Sequence, residues 1–228
     1  ERFQRLGSIS VGHLYNLRHS AGYRSQRVVL TKTQPTKNTK IGVRKAPAPE
    51  GRPGFIRIDS VHQGDLDGVK GLYHINAVDC VTQWQVVASV QAISEAHLLS
   101  VIEEMLAQFP FEILGFHADN GSEYVNHKVA RLLEKLRIEF TRSRPRHSND
   151  NGLAETKNGA VVRKEFGYEH IHRRHAKRFD IYCREYLNPF LNYHRPCLFA
   201  TELPDPKKPG RIKRVYRPRD AMTPLDKL

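Results

Sequence analysis

Cysteine is scarce in this sequence: Cys80, Cys183 and Cys197 are the only three, and none forms a C-x-x-C pair. Scattered cysteines in odd number argue against a disulfide framework and against a zinc module. No apolar run approaches the ~20 residues that a transmembrane helix needs, so we expect no membrane partner. The start, ERFQRLGSIS, has neither Met nor a secretory signal. The chain can therefore be a fragment of a longer protein, and reduced thiols fit a cytoplasmic protein.

Acidic residues are also in deficit, and the deficit is uneven along the chain. The net charge is +13, yet residues 52–140 carry −5 between flanks of +8 (1–51) and +10 (141–228). Basic arms can hold phosphates while an acidic centre holds cations. This pattern favours a metal-dependent enzyme that acts on a polyanion, although a solvated basic surface would explain the flanks equally well.

The two ends of the chain differ from its centre in composition. Residues 1–30 predict a short helix that Gly22 ends. This helix is either the last helix of a helix-turn-helix DNA reader, with Arg18 as a DNA contact, or a bridging helix without base contacts. Residues 31–51, rich in Pro, Lys and Gly, predict a basic linker. Residues 171–228 predict a helical and basic C-terminal extension.

Residues 52–170 alternate between β-like and helical patterns. The predicted strands are 55–61, 72–79, 84–90, 112–119 and 138–143, and the predicted helices are 94–109, 126–136 and 153–166. The first three strands follow one another closely and predict an antiparallel meander. The order predicts an α/β fold with a mixed five-stranded sheet flanked by helices, in which ligands gather at strand ends and helix starts.

Three acids lie at such element ends. Asp59 is in FIRIDSV, Asp119 ends a strand in ILGFHADNGSEY, and Glu155 opens a helix in HSNDNGLAETKN. Converging carboxylates repel one another unless divalent cations neutralise them. Magnesium prefers oxygen ligands, and a pair of ions can activate the attacking oxygen and stabilise the leaving oxygen in phosphoryl transfer. The acids therefore predict a paired-metal centre that acts on nucleic acid.

At these residues the chain resembles the DDE transposase and retroviral integrase superfamily, which has a ribonuclease-H-like fold. HADNGSEY, NDNGLAETKN and the interval of thirty-five residues between Asp119 and Glu155 are similar to the signature of bacterial insertion-sequence transposases. The resemblance covers about residues 52–170. It implies that Asp59, Asp119 and Glu155 are catalytic residues and ligands of two Mg²⁺ ions, with Mn²⁺ as a substitute.

The same resemblance implies an activity and partners. We expect hydrolytic nicking of element ends and transfer of the freed 3′-hydroxyl into target DNA, by a homo-oligomer that is at least a dimer. The location expected is the bacterial cytoplasm, at the nucleoid when DNA is bound. Two alternatives stay open: a ribonuclease-H-like nuclease without joining activity, and a catalytically inactive DNA-binding protein derived from a transposase.

Basic residues near the third acid and in the tail are predicted to contact DNA. Alternation in TRSRPRHS favours a shared side for its three arginines, beside the pocket. Relatives place a basic residue seven positions after the catalytic Glu, where this chain has Val162, so neighbouring residues are candidates instead. The predicted DNA contacts besides Arg18 are Arg142, Arg144, Arg146, Lys157, Arg163, Lys164, Lys213 and Arg214. His117 is expected either to touch substrate or to pack internally.

Overall fold

The computed structural model describes residues 8–22, 41–120, 124–204, 206 and 210–228. Its strands are β1 (Val43–Arg44), β2 (Phe55–His62), β3 (Asp65–Leu66), β4 (Val69–Lys70), β5 (Tyr73–Asp79), β6 (Gln85–Val90), β7 (Gly115–Ala118), β8 (Glu139–Arg142), β9 (Ala200–Pro204) and β10 (Ile212–Tyr216). Its helices are α1 (Val11–His19), α2 (Glu95–Leu106), α3 (His127–Lys135), α4 (Gly152–Lys157), α5 (Arg163–Phe166) and α6 (Ala176–Tyr182). No helix in these residues is long and apolar enough to cross a bilayer.

The main sheet has the order β1-β8-β7-β2-β5-β6. Strands β2, β5 and β6 are antiparallel neighbours, whereas β7 and β8 run parallel to β2. The predicted meander and the mixed α/β fold are therefore confirmed. The sheet has six strands rather than five, because Val43 and Arg44, expected in the linker, pair in parallel with the outer edge of β8. A strand of two exposed residues leaves no apolar pattern in the sequence.

Each face of the sheet carries its own apolar core. Ile56 and Ile58 of β2 pack with residues of β5, β7, α2 and α3 in the larger cluster. Val61 of β2 and Val87 of β6 pack on the other side, against the segment that follows α4 and the helix that follows α6. This division follows the two-residue period of a strand, since alternate side chains point to opposite faces. Asp59 falls between Ile58 and Val61 and lies on the second face.

Two helical segments cover this second face. Helix α4 continues through the π-helical turn Asn158–Val162 into α5. Helix α6 continues through the π-helical turns Cys183–Leu187 and Phe190–His194, along edge strand β6. The C-terminal residues then form the antiparallel hairpin β9–β10. Thus part of the predicted C-terminal extension packs directly on the sheet.

Helix α1 agrees only in part with the prediction. It begins after Ser10, whose side chain accepts a hydrogen bond from the His13 amide, and it ends at His19, before Gly22. Its large apolar side chains are exposed; Val11 is 70% exposed and Tyr15 58%. The predicted linker residues 31–40 lie outside the described residues, so that part of the prediction stays open.

Candidate active site

Asp59 and Asp119 lie on neighbouring strands of the sheet. The parallel pairing of β2 with β7 runs from Phe55 opposite Gly115 to Ile58 opposite Ala118. Extending this register by one residue sets Asp59 beside Asp119, and neighbouring strands are about 4.8 Å apart. Asp119 follows the last residue of β7 and is exposed. The register therefore places Asp59, inside β2, next to Asp119, just after β7.

Glu155 belongs to the helix above this strand end. Asn151, just before α4, donates a hydrogen bond from Nδ2 to the Ile58 carbonyl at 3.2 Å. One turn after Glu155, Asn158 donates from Nδ2 to Asp59 Oδ2 at 2.7 Å. Residues three apart share one side of a helix. Glu155 therefore lies in the turn that contacts Asp59, with an exposed side chain.

A chain of buried carboxamides supports Asp59 from behind. Gln85 Nε2 donates to Asn76 Oδ1 at 2.8 Å, and Asn76 Nδ2 donates to Asn158 Oδ1 at 2.8 Å. Gln85 and Asn76 are almost completely buried. Because each amide accepts from the previous group and donates to the next, the chain fixes the orientation of Asn158. The sequence analysis missed this role; the signal was Asn158 itself, inside the quoted motif NDNGLAETKN.

His117 is a packed histidine. Its ring is 1% exposed and lies within hydrogen-bond distance of two hydroxyls, Thr141 Oγ1 at 2.9 Å and Ser143 Oγ at 3.3 Å. Burial lowers its pKa to about 4. Of the two expectations for His117, internal packing therefore agrees with the structure. The neutral ring links β7 to β8 directly before Asp119.

The chemistry of the three acids suits a metal ion better than their arrangement does. Carboxylate oxygens are hard donors, and Mg²⁺ is commonly held by one or two carboxylates together with water and substrate phosphate. The neighbouring Asp59 and Asp119 fit this requirement. Among the described residues, no group of three or more His, Cys, Asp or Glu side chains is arranged to hold a metal ion. Glu155 thus stands over the pair without completing a three-carboxylate cluster.

Comparison with known sequences gives a match to a family model. Residues 52–148 match the family model described as the integrase core domain. Residues 52–148 are thus similar to integrase core domains. This match agrees with the resemblance of the motifs to the DDE transposase and retroviral integrase superfamily.

Two solved structures are reported for comparison with this chain. A chain in the structure of the simian T-cell lymphotropic virus intasome with PP2A regulatory subunit B56 gamma aligns with a TM-score of 0.50 and 16% identity, over 84% of this chain and 64% of that one. The HTLV-2 integrase catalytic core domain, in complex with magnesium, gives a TM-score of 0.45 and 14% identity, over 64% of this chain and 90% of that one. At 16% identity the likeness to the intasome chain concerns the fold alone.

A bacterial relative extends beyond this chain. The uncharacterized protein y4rM of Sinorhizobium fredii is 30% identical over 117 residues, which are 51% of this chain and 33% of that protein. The chain thus spans about a third of the length of the curated relative that it matches. The activity and partners of the whole protein are accordingly matters for proposal.

Arg142, the first of the arginines predicted to contact DNA, lies on the other face of the sheet from Asp59. Arg142 pairs with Ala118 across β7 and β8 and is 4% exposed. It therefore lies on the Ile58 face, opposite the face of Asp59. Burial also lowers the pKa of Arg142. The expectation that Arg142, Arg144 and Arg146 share one side is wrong, because β8 ends at Arg142 and the alternation ends with it.

The other two arginines of this segment are exposed but differ in their contacts. Arg144 donates from Nε and Nη2 to the two carboxylate oxygens of Asp150, at 2.9 and 2.8 Å. These hydrogen bonds hold the pKa of Asp150 well below its usual range. Arg146 has a positive φ of 63°, in the turn before the loop to α4. Their contact with DNA stays a prediction.

The basic residues after Glu155 have mostly structural contacts. Lys157 is 6% exposed and donates from Nζ to Cys197 Sγ at 3.1 Å, and burial lowers its pKa. Arg163 donates to Gln63 Oε1 and to the His62 carbonyl, at 3.1 and 3.0 Å. Both side chains therefore have partners within the protein, and their contact with DNA stays a prediction. Lys164 is exposed and is the strongest remaining candidate for a phosphate contact.

The terminal candidates complete the comparison. The side chain of Arg18 lies outside the described residues. Lys213 and Arg214 are exposed on β10, and Arg214 Nε lies 3.1 Å from Glu202 Oε1 on β9. Successive strand residues point to opposite faces, so the side chains of Lys213 and Arg214 lie on different sides of the hairpin.

Proposed function

We propose that this chain is the catalytic part of a DNA transposase of the insertion-sequence type. In this proposal Asp59, Asp119 and Glu155 hold two Mg²⁺ ions, which Mn²⁺ can replace. The enzyme nicks element ends hydrolytically and transfers the 3′-hydroxyl into target DNA, acting as at least a dimer. The observation that carries the proposal is the adjacency of Asp59 and Asp119 beneath the helix that bears Glu155.

The side chains of the site suit this role. Asp59 accepts hydrogen bonds on both oxygens, from Asn158 Nδ2 and from the Ser60 amide. An ionised carboxylate has about four lone-pair sites, so sites are left for a cation. When bound, the metal ions would activate the attacking oxygen and stabilise the leaving oxygen. Asn158 would hold Asp59 in a fixed orientation, and the neutral His117 would keep the strand end rigid.

In this proposal the Glu155 carboxylate moves toward Asp59 and Asp119 when metal ions and DNA bind. It lies in the first turn of α4, where a carboxylate is favourable because the helix dipole is positive there. Bound cations would attract its carboxylate toward Asp59 and Asp119. A site that is completed only with DNA and metal keeps its chemistry confined to bound substrate.

The test is strand transfer into supercoiled plasmid. A duplex with a free 3′-hydroxyl end is incubated with plasmid, protein and either Mg²⁺ or EDTA, and joined and nicked products are separated by electrophoresis. We expect Mg²⁺-dependent products that Asp119→Asn abolishes. Asp67→Asn is the matched control, because Asp67 is an exposed acid in the β3–β4 turn. Wild-type activity in Asp119→Asn would refute the role of Asp119.

The same assay separates the alternatives. Nicked plasmid without joined product would indicate a nuclease that does not join. Binding of DNA without either product would indicate a catalytically inactive DNA-binding protein. Both outcomes would contradict the proposed transposase.

A further inference from the structure

A groove lies on the other side of α4 from the acids. Its volume is about 970 Å³. Helix residues Gly152, Thr156 and Ala160 form one wall, and Arg214 and Tyr216 of the hairpin form another. The three helix residues recur every four positions and are small, so a ligand can approach the helix closely. Asp59, Asp119 and Glu155 do not line this groove.

The groove carries positive charge that the protein leaves uncompensated. Arg57, Arg195 and Lys227 line it, and none of them pairs with a carboxylate among the residues described. Arg57 lies beside Cys80, but burial raises the pKa of that thiol to about 11, so Cys80 supplies no negative charge. Among the described residues of the lining, Glu202 is the only one with a carboxylate. Such a groove suits a polyanion.

Aromatic side chains and size define which polyanion fits. Tyr216 is 57% exposed and Phe199 is half-buried in the lining, with Lys227 Nζ 5.4 Å from the Phe199 ring centroid. Single-stranded nucleic acids are bound by a positive groove combined with aromatic platforms on which bases stack. The volume is at the upper end of the roughly 300–1,000 Å³ found for small ligands, which suits a few unstacked nucleotides.

We propose that this groove binds an unpaired stretch of DNA, with Tyr216 stacking on a base and Arg214, Arg195 and Lys227 contacting phosphates. Binding of this kind needs no metal and does not depend on the proposed function. Because α4 separates the groove from the acids, an unpaired strand held there would leave the acids free for a phosphodiester on the other strand. This last consequence, unlike the binding itself, rests on the proposed function.

The experiment is fluorescence anisotropy in EDTA. The probes are a labelled oligothymidylate of about twelve nucleotides and a hairpin duplex of similar length. We expect Tyr216→Ala to weaken binding of the oligothymidylate about tenfold, within the range measured for loss of one stacking contact. Binding of the duplex should change less than about twofold. Equal losses for the two probes, or no loss for the single strand, would overturn the proposal.

Charge is tested with a matched pair of arginines. Arg214 lies in the groove 3.1 Å from Glu202, and Arg184 lies outside it, 3.6 Å from Glu185. Both are exposed, so Arg214→Gln and Arg184→Gln remove the same charge from similar surroundings. We expect only Arg214→Gln to weaken single-strand binding. Equal weakening by both would indicate a general charge effect and reject the groove. Plasmid nicking by Asp119→Asn tests the proposed function separately, since the anisotropy assay involves no catalysis.

Discussion

At the residue scale, the orientation of Asp59 depends on groups far from it in sequence. Asn158 can donate to Asp59 only because its own carbonyl accepts from Asn76, which in turn accepts from Gln85. A reversed amide at any point would set two donors or two acceptors against each other in a buried place, where an unsatisfied polar group costs about 1–3 kcal/mol. The carboxamides thus transmit rigidity from β6 to the carboxylate.

Replacement of Asn158 tests this support. In Asn158→Ala the Asp59 carboxylate loses the hydrogen bond from Asn158 Nδ2, so it should bind cations with poorer geometry. We expect the Mg²⁺ concentration for half-maximal nicking to rise by about tenfold, because groups behind metal ligands commonly affect affinity 10–100-fold. A Mg²⁺ titration of plasmid nicking measures this change. Gln91→Ala, which removes an exposed carboxamide, serves as control, and an unchanged titration in Asn158→Ala would reject the support.

Asp150 gives a pH dependence whose sign follows from its partner. Its pKa in the folded protein is held below the unfolded value of about 3.9 by Arg144. The unfolded state therefore binds more protons around that pH, so this contribution is complete above about pH 4 and is lost as the pH falls further. We expect Asp150→Asn to be less stable than wild type at pH 6 and to come close to it only at about pH 2, because the contribution is lost as the pH falls toward the lowered pKa. Urea unfolding at both values measures the difference; a constant difference would contradict the pKa.

At the element scale, edge strand β6 is closed by side chains rather than by another strand. Asn188 Oδ1 accepts from the Val87 amide and its Nδ2 donates to the Val87 carbonyl, at 2.8 and 3.1 Å. Asn192 repeats both bonds with Gln85, each at 2.8 Å. Carboxamides four residues apart on the helix therefore reproduce the pairing of a seventh strand. An edge left open would invite pairing with other chains.

Asn192→Ala should expose this dependence. The amide and carbonyl of Gln85 lose their partners in a buried place, and we expect a loss of roughly 2 kcal/mol in the free energy of unfolding. Urea denaturation measures the loss, and hydrogen exchange should be faster at the Gln85 amide. Arg184→Ala changes an exposed residue of the same helix and should differ from wild type by less than about 0.5 kcal/mol. Equal stabilities of the two variants would refute the edge closure.

At the scale of the whole molecule, the sequence predicts the elements that have a regular apolar pattern. It does not predict features that depend on which elements pack together. The apolar runs of β2, β5 and β6 are visible because they form buried strands, and all three are confirmed within about two residues. Strand β1, the burial of Arg142 and the carboxamide chain follow from which element packs beside which. The grouping of Arg142 with Arg144 fails because β8 ends at Arg142, and the alternation of side chains applies only within a strand.

The second apolar cluster determines how much of the chain must be present for it to fold. Cys183, Leu187 and Leu191 pack with Val87, Val161 and other residues in the second apolar cluster. A variant that ends at His170 loses these side chains and the cover of β6, although it retains all of the matched residues 52–148. We expect it to bind a hydrophobic dye and to show no cooperative unfolding. A variant that ends at Pro196 keeps the helix and should unfold cooperatively. Calorimetry distinguishes the two; a cooperative transition in the shorter variant would show that residues 52–170 fold without the helix.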